Sequence, residues 1–379
     1  MIKVADRKNV KKSKKNQVNL IRVKKRHSKK NELISKVKIG AFERKFKPNS
    51  KDYTNINQVK ICQVHINKIR TEINKVIIGQ TEIVDGLIRA LLSNGHVLVE
   101  GLPGIAKTVT ISALSKVVGG HFSRIQFTVD LLPADIVGIT SYYNNDDGRF
   151  YVIKGPIFAN FVLADEINRA APKTQSAMLE AMQEKQSTIG KKSYSMPRPF
   201  FVMATQNPIE SSGTYSLPEA QIDRFMFKLL MKYPSIEEES RIIDQNTLVK
   251  PLEAFKLKMV TNLKKIEEMQ KIVNSIYLKR DLKDYITKIV DATRNPEKYK
   301  ITLGKYIDYG CSPRATIFLA IGAKAEAVMN GVNYVTPQFV KNVAYEVMRH
   351  RIILTYEGLA RKISQDDIIS EILEKVPIQ

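Results

Sequence analysis

Apolar residues recur at helical spacing from Ile56 to Leu92: Ile61, Val64, Ile69 and Ile73, then Ile83, Leu87 and Leu91. A period of about 3.6 residues gathers such positions on one helix face. Ile78-Gly79-Gln80 interrupts the run, so two helices are predicted. The pattern then changes to a short continuous run, His96-Val97-Leu98-Val99-Glu100, that stops at Gly101. This predicts a buried strand entering a glycine-rich loop. Further strands are predicted at 124–128, 161–165, 200–205 and 226–231, with helices near 107–118 and 173–184 between them. Strand and helix in alternation imply an α/β fold, a parallel sheet covered by helices on both faces.

After Tyr233-Pro234 the strand signals thin out and helical periodicity takes over. Leu263, Ile266, Met269, Val273 and Ile276 form one such series, and 315–329 another. A smaller all-α domain is expected there. The chain thus divides into a basic extension at 1–52, an α/β domain at 53–234 and a helical domain at 235–379, without an internal repeat. Two β-hairpins are expected inside the α/β part. One spans 138–154, with Asn144-Asn145-Asp146-Asp147-Gly148 between Tyr142/Tyr143 and Phe150/Tyr151; the other spans 188–196 and turns at Gly190-Lys191-Lys192.

A length of 379 residues suits two or three domains. The net charge of +23 is unevenly spread, because residues 1–50 carry 18 Lys/Arg against 3 Asp/Glu. The rest of the chain is only mildly basic. A lysine-, asparagine- and serine-rich segment of this kind lacks the apolar surface to offset chain entropy, and is expected to be disordered. It reads as a basic arm for nucleic acid or anionic lipid, as a solvated tail, or as an overextended start, since no Met lies between Met1 and Met178. No apolar run approaches the ~20 residues of a membrane span, and no apolar stretch follows the basic N-terminus as a secretory signal requires. The two cysteines, Cys62 and Cys311, and five scattered histidines make neither a metal pattern nor a disulfide framework. A reducing, cytoplasmic setting is inferred, with no membrane insertion.

The chemistry concentrates at the predicted strand ends. Gly101-Leu102-Pro103-Gly104-Ile105-Ala106-Lys107-Thr108 matches a phosphate-binding P-loop except that Ala106 stands where the pattern has glycine. Such a loop turns backbone N–H groups toward phosphate oxygens, and the following helix adds its positive end. Lys107 would reach the β- and γ-phosphates and the Thr108 hydroxyl would ligate Mg²⁺. The nucleotide-binding set is Gly101, Pro103, Gly104, Ile105, Ala106, Lys107, Thr108 and Val109. Phe161-Val162-Leu163-Ala164-Asp165-Glu166 is an apolar strand ending in two carboxylates, 58 residues beyond Lys107. Asp165 would hold the Mg²⁺ shell, and Glu166 would act as general base on the attacking water. The alternative is a strand end followed by an acidic helix cap. A third apolar strand ends in Thr205-Gln206-Asn207, which would point the Asn207 amide at the γ-phosphate or the water.

These segments resemble the MoxR family of AAA+ ATPases. The resemblance covers about Ile56 to the C-terminus. Besides the P-loop with its alanine, it rests on Gly155–Asn160, Asp165–Ala170, Lys173–Glu184, Ala204–Pro208, Leu217–Phe225 and Ser312-Pro313-Arg314-Ala315. It implies a P-loop NTPase (AAA+) sheet domain followed by an α-helical lid, with ATP and Mg²⁺ bound between them. Asn207 resembles the sensor-1 residue, and Arg314 resembles sensor 2 on the lid. Arg224 resembles the arginine finger that acts on a neighbouring subunit's nucleotide; an ion pair with Asp223 or Glu219 is the alternative. Gly79, in Ile78-Gly79-Gln80, falls in the segment that borders the adenine. The resemblance further implies a homo-oligomeric ring, a hexamer. It also implies chaperone-like remodelling or maturation of a protein partner that carries a von Willebrand factor A domain. Exposed hairpins near a ring pore could contact that partner or serve only packing.

A function of another class stays open on the sequence: an ATP-switched nucleic-acid-binding regulator that uses the basic arm. Lys24-Lys25-Arg26 has no aromatic neighbour, and the C-terminal part shows no recognition helix. A non-hydrolysing scaffold is opposed by the intact Lys107, Asp165 and Glu166.

Overall fold

The computed structural model describes residues 54–142, 150–208, 215–245 and 252–378. The basic extension at 1–52 and the expected hairpin turn at Asn144–Gly148 lie outside them.

The chain enters through helices α1 (Ile56–Ile73) and α2 (Thr81–Leu92). In α1 the buried positions are Val59, Cys62, Ile66, Ile69 and Ile73, while Ile61 and Val64 are more than half exposed. The periodicity was right in kind but shifted in phase. Cys62 and Val59 complete the inward stripe, and the two aliphatic residues first singled out lie outside it. Strand β1 (Val97–Gly101), α3 (Lys107–Val118), β2 (Phe122–Gln126) and α4 (Pro133–Val137) follow. Strands β3 (Gly138–Tyr142) and β4 (Phe150–Lys154) pair antiparallel as the first hairpin. Next come β5 (Phe161–Asp165), α5 (Pro172–Glu184), and β6 (Gln186–Ile189) with β7 (Lys192–Ser195), the second hairpin. The sheet part closes with β8 (Phe201–Gln206), the short α6 (Glu219–Ile222) and β9 (Phe227–Met231).

The central sheet has the order β2-β5-β8-β1-β9, every pairing parallel. Its middle strands read as unbroken apolar runs because both of their faces are covered: β5 is buried throughout, and β8 at all but its last residue. The edge strand β2 is mostly polar, and it starts two residues earlier than predicted. Phe127, expected inside it, is fully buried just beyond, where its N–H reaches the Asp165 carbonyl at 2.9 Å. Phe161, Phe201, Phe225 and Phe227 are fully buried, each contributing ~1.5–3 kcal/mol to the core.

The remaining elements are mainly helical: α7 (Ile236–Gln245), α8 (Leu263–Ser275), α9 (Arg280–Arg294), α10 (Pro313–Met329), α11 (Pro337–Met348), α12 (Tyr356–Ala360) and α13 (Gln365–Lys375). A small pair, β10 (Ile307–Tyr309) with β11 (Ile353–Leu354), departs from the all-helical expectation. Helix α10 packs against α1, α2, α8, α9 and α11, so it is the hub of this region. A buried ion triad ties it to the sheet part. Arg89 on α2 donates to Glu326 on α10 at 2.8 Å and to Glu346 on α11 at 2.5 Å. Among the described residues no helix is long and apolar enough to cross a membrane.

Candidate functional site

The register lines up β1, β8 and β5 side by side, pairing Glu100 with Gln206 and Ala164 with Ala204. Gly101, Asp165 and Asn207 therefore come off the same carboxyl edge of the sheet, where open α/β sheets bind ligands. The loop after β1 has two different reasons for its glycines. A Cβ on Gly101 would meet Ile105 Cδ1 at 2.6 Å and Met231 Cβ at 2.9 Å, so no side chain fits. Gly104 faces open space but has φ +80°, a left-handed conformation that disfavours a Cβ. Ala106 adopts φ 64° at the N-cap of α3, at a cost of ~1–2 kcal/mol for a non-glycine residue. The departure from the glycine pattern is thus a strained one. Helix α3 starts at Lys107, so its unsatisfied N–H groups and positive end face the loop. The Lys107 ammonium donates to the Gly101 carbonyl at 2.7 Å.

Asp165 ends β5 almost fully buried, with each oxygen engaged. Oδ1 accepts from Thr205 Oγ1 at 2.7 Å, and Oδ2 accepts from Arg124 at 2.7 and 3.1 Å. The same Thr205 hydroxyl accepts the Glu166 backbone N–H at 2.8 Å. One threonine on β8 thereby fixes both acidic residues on β5. Glu166 has φ 56°, a second left-handed non-glycine residue at this edge. Such strain is retained where surrounding contacts over-determine it, commonly at functional sites. Its carboxylate accepts from Gln126 and from Arg169, each at 2.9 Å. Asn207 is buried immediately beyond β8.

A hydroxyl on Thr108 and a carboxylate on Asp165 are hard oxygen donors of the kind Mg²⁺ takes. Among the described residues no cluster of three or more His, Cys, Asp or Glu could cage a metal alone.

Beside the P-loop opens a cavity of about 550 Å³. Ile77, Ile78, Ile105, Val109, Ile242 and Phe255 give it apolar walls, with Pro103, Gly104 and Ala106 along one rim. Those walls suit a flat aromatic base. Gly79 is not on the lining; with φ +67° it turns the chain so that its neighbours Ile78 and Gln80 are. A Cβ on Gly79 would run into the Glu238 carboxylate at 2.5 Å. Gln80 fixes the segment by donating to the Lys232 carbonyl at 2.6 Å.

Arg224 follows α6, and its side chain makes no ion pair with Asp223 or Glu219 among the described residues. Asp223 is occupied otherwise. It accepts from Ser312 Oγ at 2.9 and 3.0 Å, from Arg314 at 3.3 Å and from Arg351 at 2.7 Å. Ser312 also caps α10 by accepting the Arg314 N–H at 3.2 Å, with Pro313 in the first turn, as the sequence suggested. Arg314 is therefore held at a helix start, half-exposed.

Arg124, Gln126, Arg169, Thr205 and Arg351 escaped the sequence reading. Their partners lie up to 128 residues away, and although Arg169 and Thr205 fall in segments that carry the resemblance, no role for them follows from those segments. Arg169, three residues after Glu166, is the exception, since that spacing alone could have suggested the pair.

The family model described as "ATPase family associated with various cellular activities (AAA)" matches residues 96–227, and that of the AAA lid domain matches 303–372. The chain is 44% identical over 319 residues to Chaperone MoxR1 of Mycobacterium tuberculosis, covering 84% of this chain and 83% of that protein. It is 42% identical to the uncharacterized protein YeaC of Bacillus subtilis, covering 83% and 95% respectively. A crystal structure of a candidate ATPase from Cytophaga hutchinsonii superposes with a TM-score of 0.79 at 42% identity, covering 85% of this chain and 97% of that one.

Proposed function

The chain belongs to the MoxR family of AAA+ ATPases, and from that premise we propose that it hydrolyses ATP with Mg²⁺ at a site shared between neighbouring copies. We read 53–234 as the nucleotide-binding domain, 235–379 as the lid and 1–52 as a basic extension. The work of the cycle is remodelling or maturation of a protein partner.

The observation that carries the hydrolytic reading is the joint fixation of Asp165 and Glu166 by Thr205, at the sheet edge where the P-loop also begins. The P-loop N–H groups and the start of α3 hold the phosphates, with the Lys107 ammonium exchanging its carbonyl partner for phosphate oxygens. Thr108 and Asp165 hold Mg²⁺, which neutralises charge on the phosphates when bound. Glu166 accepts a proton from the attacking water, and Asn207 orients that water. The cavity lined by Ile78 and Val109 takes the adenine. Ser312, Arg314 and Arg351 occupy the Asp223 carboxylate, which supports a role for Arg224 toward a neighbouring copy rather than toward Asp223, in a ring read as hexameric. A guanidinium supplied this way is worth ~10³–10⁵ in rate.

The remodelling role is supported by a relative named a chaperone and by the first hairpin. Tyr142 and Phe150 are exposed as a pair on one face of it and Ile139 and Ile153 on the other, apolar contacts suited to a protein segment. A von Willebrand factor A domain protein, the partner class implied by the resemblance, is the occupant to try first. The nucleic-acid reading rests on 1–52 alone, and no observation favours it.

The test is ATP turnover by the full chain with and without Mg²⁺, beside Glu166→Gln. Mg²⁺-dependent hydrolysis, with ATP binding but no turnover in Glu166→Gln, is expected. Unchanged turnover in that variant would remove Glu166 from the mechanism, and no turnover by the wild type would leave a binding module.

A further inference from the structure

Arg351 lies on no motif considered so far, yet it is 5% exposed and all three of its guanidinium nitrogens donate hydrogen bonds. Its guanidinium donates to the Asp223 carbonyl at 2.8 Å and to the Phe225 carbonyl at 2.6 Å. Asp223 and Phe225 flank Arg224, so a single nitrogen, Nη2, holds the main chain on both sides of the finger candidate. Nε completes the grip on the Asp223 carboxylate at 2.7 Å. Further bonds run to the Met226 and Val347 carbonyls. The ring of Phe318, on α10, packs against the guanidinium face at 5.0 Å. His350 adds a contact of 3.1 Å to the Phe225 carbonyl.

The elements involved are far apart in the chain. Asp223 and Arg224 follow α6 in the sheet part, whereas Arg351 follows α11, and Ser312 and Arg314 open α10. Asp223 thus joins the turn that carries Arg224 to the helix start that carries Arg314. Arg314 is half-exposed and its bond to Asp223 is the longest of the set, so it is the donor most readily drawn away by a phosphate.

We propose that Arg351 is the positioning residue for Arg224, and that the Asp223 carboxylate transmits the state of a subunit's own nucleotide, felt through Arg314, to the finger it offers its neighbour. This rests on the shared-site reading above. Arg351 touches neither nucleotide nor reacting atoms. It acts by fixing the backbone from which Arg224 projects, and a misplacement of about 1 Å at such a group costs about 10²-fold in rate. Lysine at this position keeps the charge but cannot bond two carbonyls and a carboxylate in one plane.

The experiment is complementation between inactive full-length variants. Glu166→Gln loses its own site but keeps its finger; Arg224→Ala loses its finger but keeps its site. Arg351→Lys is expected to bind a fluorescent ATP analogue within about twofold of the wild type while turnover falls about 10²-fold. Mixed with Glu166→Gln it regains turnover, and mixed with Arg224→Ala it does not. Asp223→Asn is measured in parallel and is expected to fall in the same class, which keeps the proposal testable if Arg351→Lys does not fold. Full activity in Arg351→Lys, or rescue by Arg224→Ala, overturns the proposal and leaves the shared site standing. Loss of nucleotide binding with rescue by neither partner marks a merely structural residue and also overturns it. Failure of Glu166→Gln and Arg224→Ala to rescue each other overturns the shared site itself, and the proposal with it.

Discussion

Gln126 donates its side-chain amide to Glu166 Oε2 at 2.9 Å, across the edge between β2 and β5, and Arg169 donates to the same oxygen. Swinging that oxygen toward an attacking water would break at least one of these bonds. Gln126 therefore restrains the general-base candidate. Gln126→Ala is predicted to raise kcat up to about tenfold, the lower end of what a hydrogen bond to a charged group is worth, ~1.5 kcal/mol. KM for ATP should not change. Steady-state kinetics decide it; a lower kcat would show that the contact aims Glu166 instead.

Thr205 presents the opposite case, because its hydroxyl serves Asp165 and the Glu166 N–H at once. Thr205→Val keeps the shape and leaves both groups short of a partner, at ~1–3 kcal/mol for each buried unsatisfied group. The predicted result is a rise of about tenfold or more in the Mg²⁺ concentration for half-maximal turnover, with kcat reduced. A Mg²⁺ titration of both proteins reads this directly. An unchanged titration would separate Thr205 from the metal side of the site.

The P-loop gives a contrast between two substitutions. Gly101→Ala drives a methyl into Ile105 and Met231, so nucleotide binding should be lost. Ala106→Gly relieves a φ of 64°, so thermal stability should rise or stay level, within ~1 kcal/mol, with ATP binding retained. Melting curves with and without ATP distinguish the two. A destabilised Ala106→Gly would mean that the alanine methyl contributes packing that outweighs the strain.

Stability should also fall in mild acid. His96 bridges the core, its Nε2 donating to the Met182 carbonyl and its Nδ1 accepting from the Val202 N–H, each at 3.1 Å. Burial, aided by nearby Lys185, pushes its pKa from 6.5 down to about 4. The unfolded chain takes up this proton first, so the neutral-form contribution is complete above pH 6.5. It is lost as pH falls from there toward about 4, by about 3 kcal/mol. Burial lowers His350 in the same direction. Urea midpoints at pH 7 and pH 5 should differ in the wild type and differ less in His96→Asn. Equal differences in the two proteins would exclude His96 as the source.

The sheet edge was legible because burial on both faces forces apolar runs, and each run ends at a residue the proposed site uses: Gly101, Asp165, Asn207. Helix α3 was legible from its start at the P-loop lysine, and α5 was placed to within one residue. Strand β2 was read two residues late because, as an edge strand, it carries Ser123, Arg124 and Gln126, which break the apolar run. The inward stripe of α1 was mis-phased because Ile61 and Val64 are apolar but turned outward. Side chains that act across the fold leave no local trace. Arg124 meets Asp165 41 residues away, and Arg351 meets Asp223 128 residues away. Only the folded chain juxtaposes them.

The central claim is that one subunit's Glu166 and another's Arg224 make one site. The direct measurement mixes Glu166→Gln with Arg224→Ala, each inactive alone, and follows ATP turnover as the two assemble. Hydrolysis is expected to return on mixing, because some sites then combine an intact Glu166 with an intact neighbouring Arg224. Turnover no greater than the sum of the separate variants would contradict it, and would confine both residues to a site within one chain.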